Sequence, residues 1–204
     1  MGISTISNNE IFGRHAAANC EWPASAMELV NRTYSIPLTD CRIWDSGQVL
    51  PAAAAADDLG LYFGAGISAT VSPVLSTGDV KATSGTMYAA FPIILPDRYS
   101  AAKAISFDIF AGAKTTIADT SMDLDLQVFL SDGDGTANAD IITTASQTMN
   151  SLTEATYTFE ATETNLVAGS NLWGLLSIAW VDAATATAVI GQIGKIDLIA
   201  TCRG

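Results

Sequence analysis

Histidine is nearly missing: His15 is the only one in 204 residues. That leaves little room for imidazole acid–base catalysis or for histidine-ligated metal. Positive charge is scarce as well, with 9 Lys+Arg against 21 Asp+Glu and a formal net charge of −12. A chain this acidic repels phosphate, so nucleic acid is excluded as a partner. Charged residues of both signs make up 15% of the chain while 49% is hydrophobic, the reverse of a disordered composition. The apolar runs are short, as in Phe91-Pro92-Ile93-Ile94-Leu95. None approaches the roughly 20 residues needed to span a bilayer as a helix, so no membrane partner is expected. Met1–Glu10 is polar and has no signal-peptide core.

Cysteine is sparse and scattered at Cys20, Cys41 and Cys202, with no C-x-x-C pair. An odd, widely spaced set reads as free thiols made in a reducing cytoplasm, and not as a disulfide framework or a zinc site. A cysteine nucleophile would have to recruit His15. Phosphate-binding and dinucleotide-binding glycine loops are absent. Gly66-Ile67-Ser68-Ala69-Thr70 lacks the second glycine of a nucleophile elbow. These absences predict a protein with no catalytic residues, no metal and no cofactor.

The composition changes near residue 50. Residues 1–50 contain Trp22, Trp44, Pro23, Pro37, His15 and two of the cysteines, and show no strong alternation. Ala16–Val30 has helix formers interrupted by Pro23. Ser35–Leu38 and Trp44–Gly47 read as extended and turn segments. We therefore expect an irregular N-terminal arm over 1–50 that orders on binding. Phe12, Trp22, Tyr34, Trp44, Arg14, Arg32 and Arg42 are its candidate assembly contacts, and its deletion should leave a folded domain.

Residues 51–204 read as roughly eight strands. Ile105, Phe107, Ile109 and Ala111 occupy one face of one strand. Leu124, Leu126 and Val128 alternate with Asp123, Asp125 and Gln127 in another. Further strands are expected at Leu59–Phe63, within Val80–Leu95, around Thr156–Ala161, at Leu172–Val181 and at Thr187–Ile199. Gly191 and Gly194 predict a bulge in the last of these. No helical period separates the strands, so the fold class is all-β: an antiparallel jelly-roll β-sandwich, with an immunoglobulin-like sandwich as the alternative.

Three features of the β region have chemical interest. Oxygen-bearing side chains at 132, 134, 136, 138 and 140 are spaced like a calcium loop. Ala137 and Thr143 stand where such a loop needs Gly and Glu, which favours an acidic hairpin turn. Asp123 and Asp125 share one strand face, a common solvent-facing arrangement. Trp173 and Trp180, seven apart on one strand, must point to opposite faces. One is expected in the core, and the other could serve as an exposed platform for a sugar ring.

The segments Leu50–Gly64 and Val181–Leu198 resemble stretches of tailed-bacteriophage virion proteins. The resemblance implies a capsid decoration (cement) protein of jelly-roll type. Such a protein would be a homotrimer on the exterior of an icosahedral head, bound to the major capsid protein and made in the host bacterial cytoplasm. The alternative is a phage tail or head-fibre module that binds carbohydrate or another receptor.

Overall fold

The period-2 segments fold as the strands of two antiparallel sheets. A computed structural model of the chain describes residues 28–64, 72–162, 165–183 and 187–203. The first sheet runs β2 (Gly60–Tyr62), β3 (Val74–Ser76), β11 (Gly191–Arg203), β5 (Ile105–Ala113), β9 (Ala155–Ala161), and β1 (Leu29–Ile36) also pairs with β11. The second runs β4 (Ser84–Ile94), β10 (Asn171–Val181), β6 (Ser121–Ser131), β7 (Ala137–Asp140), and β8 (Gln147–Thr148) also pairs with β6. From β3 onward the longer strands alternate between the sheets. The resulting orders, β3-β11-β5-β9 and β4-β10-β6-β7, are those of a jelly roll.

Facing side chains of the two sheets make the core. Ile105, Phe107, Ile109 and Ala111 are buried on β5, Met122, Leu124, Leu126 and Val128 on β6, and Leu172, Leu176 and Ile178 on β10. Gly174 lies opposite Phe91 in the β10–β4 register, and a Cβ there would overlap the buried Phe91 ring. Glycine is needed at that position so that the ring can cross the strand. The expected bulge is present: the β11–β5 register shifts between Ile193 and Lys195. Asp182 is fully buried, and its carboxylate accepts the Ala82 N–H at 2.7 Å and the Asp119 N–H at 3.0 Å, tying two loops together.

The independent arm expected over residues 1–50 is corrected where the structure describes it. Residues 29–36 form β1, which pairs with β11 from Ile196 to Arg203, alongside the stretch of β11 where β3 has ended. Leu29 and Val30, the last residues of the interrupted helix-forming stretch Ala16–Val30, are strand residues. Leu38, Cys41 and Leu50 are buried in the same core as the sheets. Burial explains the difference: a fully covered thiol and two leucines bind this segment to the sandwich by the hydrophobic effect. Residues 1–27, with Cys20, lie outside the described residues.

Among the described residues no helix is long and apolar enough to cross a membrane. Cys41 and Cys202 are free and buried, and burial pushes the Cys41 thiol up to about 12, so it is protonated at neutral pH.

Candidate functional site

The outward faces of the two sheets differ in how their polar side chains are used. On the first sheet several of them are tied to one another. Ser35 donates to Asp197 at 2.6 Å, Lys195 pairs with Asp197 at 2.5 Å, Thr158 donates to Asp108 at 2.6 Å, and Thr201 donates to Asn31 at 2.9 Å. On the second sheet the outward residues of β4, β10 and β6 include Thr86, Tyr88, Ser177, Asp123 and Gln127. Among the described residues none of these five has a side-chain hydrogen bond to another part of the protein. Their hydrogen-bonding capacity is directed at solvent or at a ligand.

The same face carries an unusual share of apolar and aromatic surface. Trp173 is 45% exposed and lies in register between Pro92 of β4 and Phe129 of β6. Directly opposed side chains of neighbouring strands have Cβ atoms about 4.5–5.5 Å apart, so these three make a continuous platform. Ile94, 68% exposed, and Leu175 extend it diagonally. Tyr88 lies opposite Ser177, four residues along β10 from Trp173 and hence about 13 Å away. Its ring packs against Trp44, with centroids 5.3 Å apart. The loop that carries Trp44 is held at the free edge of β4. Arg42 N–H donates to Ala90 O at 2.7 Å, Tyr88 N–H donates to Asp57 O at 2.7 Å, and the Trp44 indole N–H donates to Asp57 at 3.2 Å. Two aromatic stations therefore stand on one face: Ala90, Leu175 and the Gln127 amide form the row between them, Ser177 and Asp125 share the Tyr88 row, and Thr86 and Asp123 flank Ala179 beyond it.

The electrostatics are one-sided. No Lys or Arg occurs anywhere in β4, β6 or β10. Burial, and to a lesser degree the nearby Asp140, pushes the Asp125 carboxyl above its ordinary value. Asp58, which bridges to Tyr88 at the β4 edge, is also raised, by burial and then by Asp57 and Asp45.

The candidate arm contacts separate once placed. Phe12, Arg14 and Trp22 lie outside the described residues. Tyr34 packs against the core, its hydroxyl 3.4 Å from the Cys202 sulfur. Arg32 is exposed on β1. Arg42 is structural: its guanidinium donates to the Thr39 and Cys41 carbonyls at 2.7 and 2.8 Å, fastening the short 3-10 turn Leu38–Asp40. Trp44 alone of the described four joins the aromatic face. Trp180 is 6% exposed and donates its indole N–H to Thr83, while Trp173 is the outward one, as the spacing of seven requires. Tyr88, Phe129 and Pro92 were not singled out by sequence reasoning. They meet Trp173 and Trp44 only through strand register.

Residues 132–136 form the loop between β6 and β7, and 137–140 are β7 itself. Thr136 donates to Asp134 at 2.6 Å, and the Asp140 carboxylate accepts the Val128 and Ile142 N–H groups at 2.8 and 3.0 Å. These carboxylates shape and brace a hairpin.

No protein-family model matches the sequence, and no curated protein does. Solved structures do resemble the fold. The xylan-binding module CBM15 shares 13% identity at a TM-score of 0.47, over 86% of this chain and 100% of that one. TmCBM61, solved with β-1,4-galactotriose, shares 9% at 0.42, over 83% and 88%. The CBM22-1 xylan-binding domain of Paenibacillus barcinonensis Xyn10C shares 13% at 0.42, over 88% and 97%. At these identities the likeness describes a sandwich and assigns no ligand. These structures are carbohydrate-binding modules and not virion proteins, which corrects the reading as a capsid decoration protein; no finding supports a major capsid protein as partner or a homotrimer. The segments that suggested it have a local explanation: Leu50–Gly64 supplies an edge loop and β2, and Val181–Leu198 leads into β11.

Proposed function

We propose that the chain is a non-catalytic carbohydrate-binding β-sandwich that takes a neutral polysaccharide across the outer face of β4, β10 and β6. The observation that carries this is the exposed Trp173, set between Pro92 and Phe129, with polar side chains that have no side-chain hydrogen bond within the described protein further along the same face. An aromatic ring presents a flat apolar surface to the C–H face of a pyranose, and sugar hydroxyls need donors and acceptors beside it. Gln127, one row along from Trp173, and Ser177, two rows along, supply both, and Thr86 and Asp123 continue the polar surface beyond Tyr88. The distance of about 13 Å between Trp173 and the Tyr88–Trp44 station suits a short stretch of chain better than a single ring. A face with carboxylates and no cation disfavours polyanions, so the ligand is uncharged.

Affinity electrophoresis in gels containing soluble xylan, β-1,4-galactan or another neutral polysaccharide tests the proposal. Retardation by at least one of them, lost in Trp173→Ala, is the expected result. Unretarded migration through the whole neutral panel would overturn it.

A further inference from the structure

A second cleft opens on the other side of the sandwich, at the edge of the first sheet. Its volume is about 430 Å³, and Tyr62, Ser76, Lys114 and Gln192 line it together with the Ala52–Ala54 wall. The reason it exists is local. Gly60, Ser76 and Gln192 stand in one row across β2, β3 and β11, and the first two have little or no side chain to fill the space. The wall beside that row is backbone. A Cβ on Gly60 would overlap the main chain of Ala53 and Ala54, and Leu61 N–H donates to Pro51 O at 2.8 Å, which fastens the alanine run against β2.

The groups that face the cleft have a definite chemistry. The Lys114 ammonium stands 5.6 Å from the centroid of the exposed Tyr62 ring and makes no ion pair with any described residue. Asp79, the carboxylate that shares the cleft, is already engaged. It pairs with Lys81 at 2.9 Å and accepts the Lys81 and Val189 N–H groups at 3.3 and 3.2 Å. The Gln192 amide and the Tyr62 hydroxyl have no hydrogen bond within the described protein. Ser76 Oγ accepts the Gly78 N–H at 3.1 Å and keeps its own proton to donate. A lone cation held over an aromatic ring, beside an amide and two hydroxyls in a cleft far larger than an ion, matches a polyhydroxylated carboxylate.

We propose that this cleft is a second, independent binding site for a sugar acid of the uronic-acid class. Lys114 takes the carboxylate, and Gln192, Ser76 and the Tyr62 hydroxyl take ring hydroxyls. The site does not depend on the Trp173 face and has the opposite charge preference.

The test uses the full-length chain, isotopically labelled and titrated by NMR with galacturonate, and in parallel with galactose and with acetate. Galacturonate is expected to shift amides around Ser76, Gly78 and Gln192 at millimolar concentration, with galactose and acetate each binding at least about tenfold more weakly, because each lacks one half of the recognition. Lys114→Met, which keeps the stem and removes the charge at an exposed position, should weaken galacturonate at least about tenfold. Gln192→Leu should weaken it while leaving acetate unchanged, and Trp173→Ala should leave galacturonate binding intact. The proposal is overturned if galacturonate shifts nothing at these residues, if acetate binds equally well, or if Lys114→Met binds like the parent. Loss of this site in Trp173→Ala would overturn its independence. Loss of neutral-glycan binding alone would count against the Trp173 face and leave this cleft standing.

Discussion

Replacing Trp173 by alanine tests the aromatic face with a magnitude that follows from exposure. The side chain is 45% exposed, and a tryptophan can bury roughly 250 Å², so about 110 Å² of ring is open to a ligand. Covering all of it at roughly 25 cal/mol per Å² contributes about 2.8 kcal/mol. A pyranose stacks on one side of the ring and covers about half, worth about 1.4 kcal/mol, or tenfold in Kd. Trp173→Ala should therefore weaken a neutral oligosaccharide about 10- to 100-fold in isothermal titration calorimetry. The stability cost should be smaller than that of Trp180→Ala, whose ring is 6% exposed and falls in the class of buried Trp→Ala changes costing about 3–5 kcal/mol. Near-UV circular dichroism and thermal melting on both variants separate binding from folding. Unchanged affinity in a folded Trp173→Ala protein would refute the reasoning. Equal loss in folded Trp173→Ala and Trp180→Ala variants would refute it too, because Trp180 faces the core.

Three further outcomes follow from the same structure. Gly174→Ala places a methyl against the buried Phe91 ring, an overpacking that costs about 1–3 kcal/mol and lowers Tm by roughly 2–12 °C in calorimetry. Deleting residues 1–50 removes β1 together with Leu38, Cys41 and Leu50, so the truncated chain should lose its cooperative melting transition. A sharp transition near the parent Tm would show that β1 is dispensable. Asp125 has a carboxyl pKa raised by burial, so the folded state holds its proton at pH values where the unfolded chain has released it. Stability from this group then falls as pH rises from the ordinary aspartate value through the raised one. Asp125→Asn should accordingly be more stable than the parent at pH 7, with the advantage shrinking toward pH 4 in urea titrations.

The sandwich was legible wherever one strand face is wholly apolar. Ile105, Phe107 and Ile109, and likewise Leu124, Leu126 and Val128, alternate without exception and are buried without exception. The split between Trp173 and Trp180 was legible for the same reason, since an odd spacing on a strand fixes opposite faces. β1 was not legible because it is an edge strand with only Tyr34 and Ile36 packed on the core, and its partners on β11 lie 160 to 174 residues along the chain. Local periodicity carries no trace of such a pairing. The aromatic face was half legible. Trp44 and Trp173 were conspicuous as residues, but nothing local shows that a loop pins Trp44 to Tyr88, or that register sets Pro92 and Phe129 on either side of Trp173. The capsid reading arose from the pattern of alanine-rich and glycine-containing segments. The structure gives those segments packing roles at the edge of β2 and along β11.

Binding of a neutral glycan on the outer face of β4, β10 and β6 is tested most directly by chemical-shift mapping of the labelled full-length chain during titration with a neutral oligosaccharide. The Trp173 indole N–H and the amides at Phe129, Leu175 and Ser177 should shift, with the residues around Phe110 and Thr158 on the opposite sheet unmoved. No shift at saturating ligand for any neutral oligosaccharide, or shifts confined to the β5–β9 face, would contradict it.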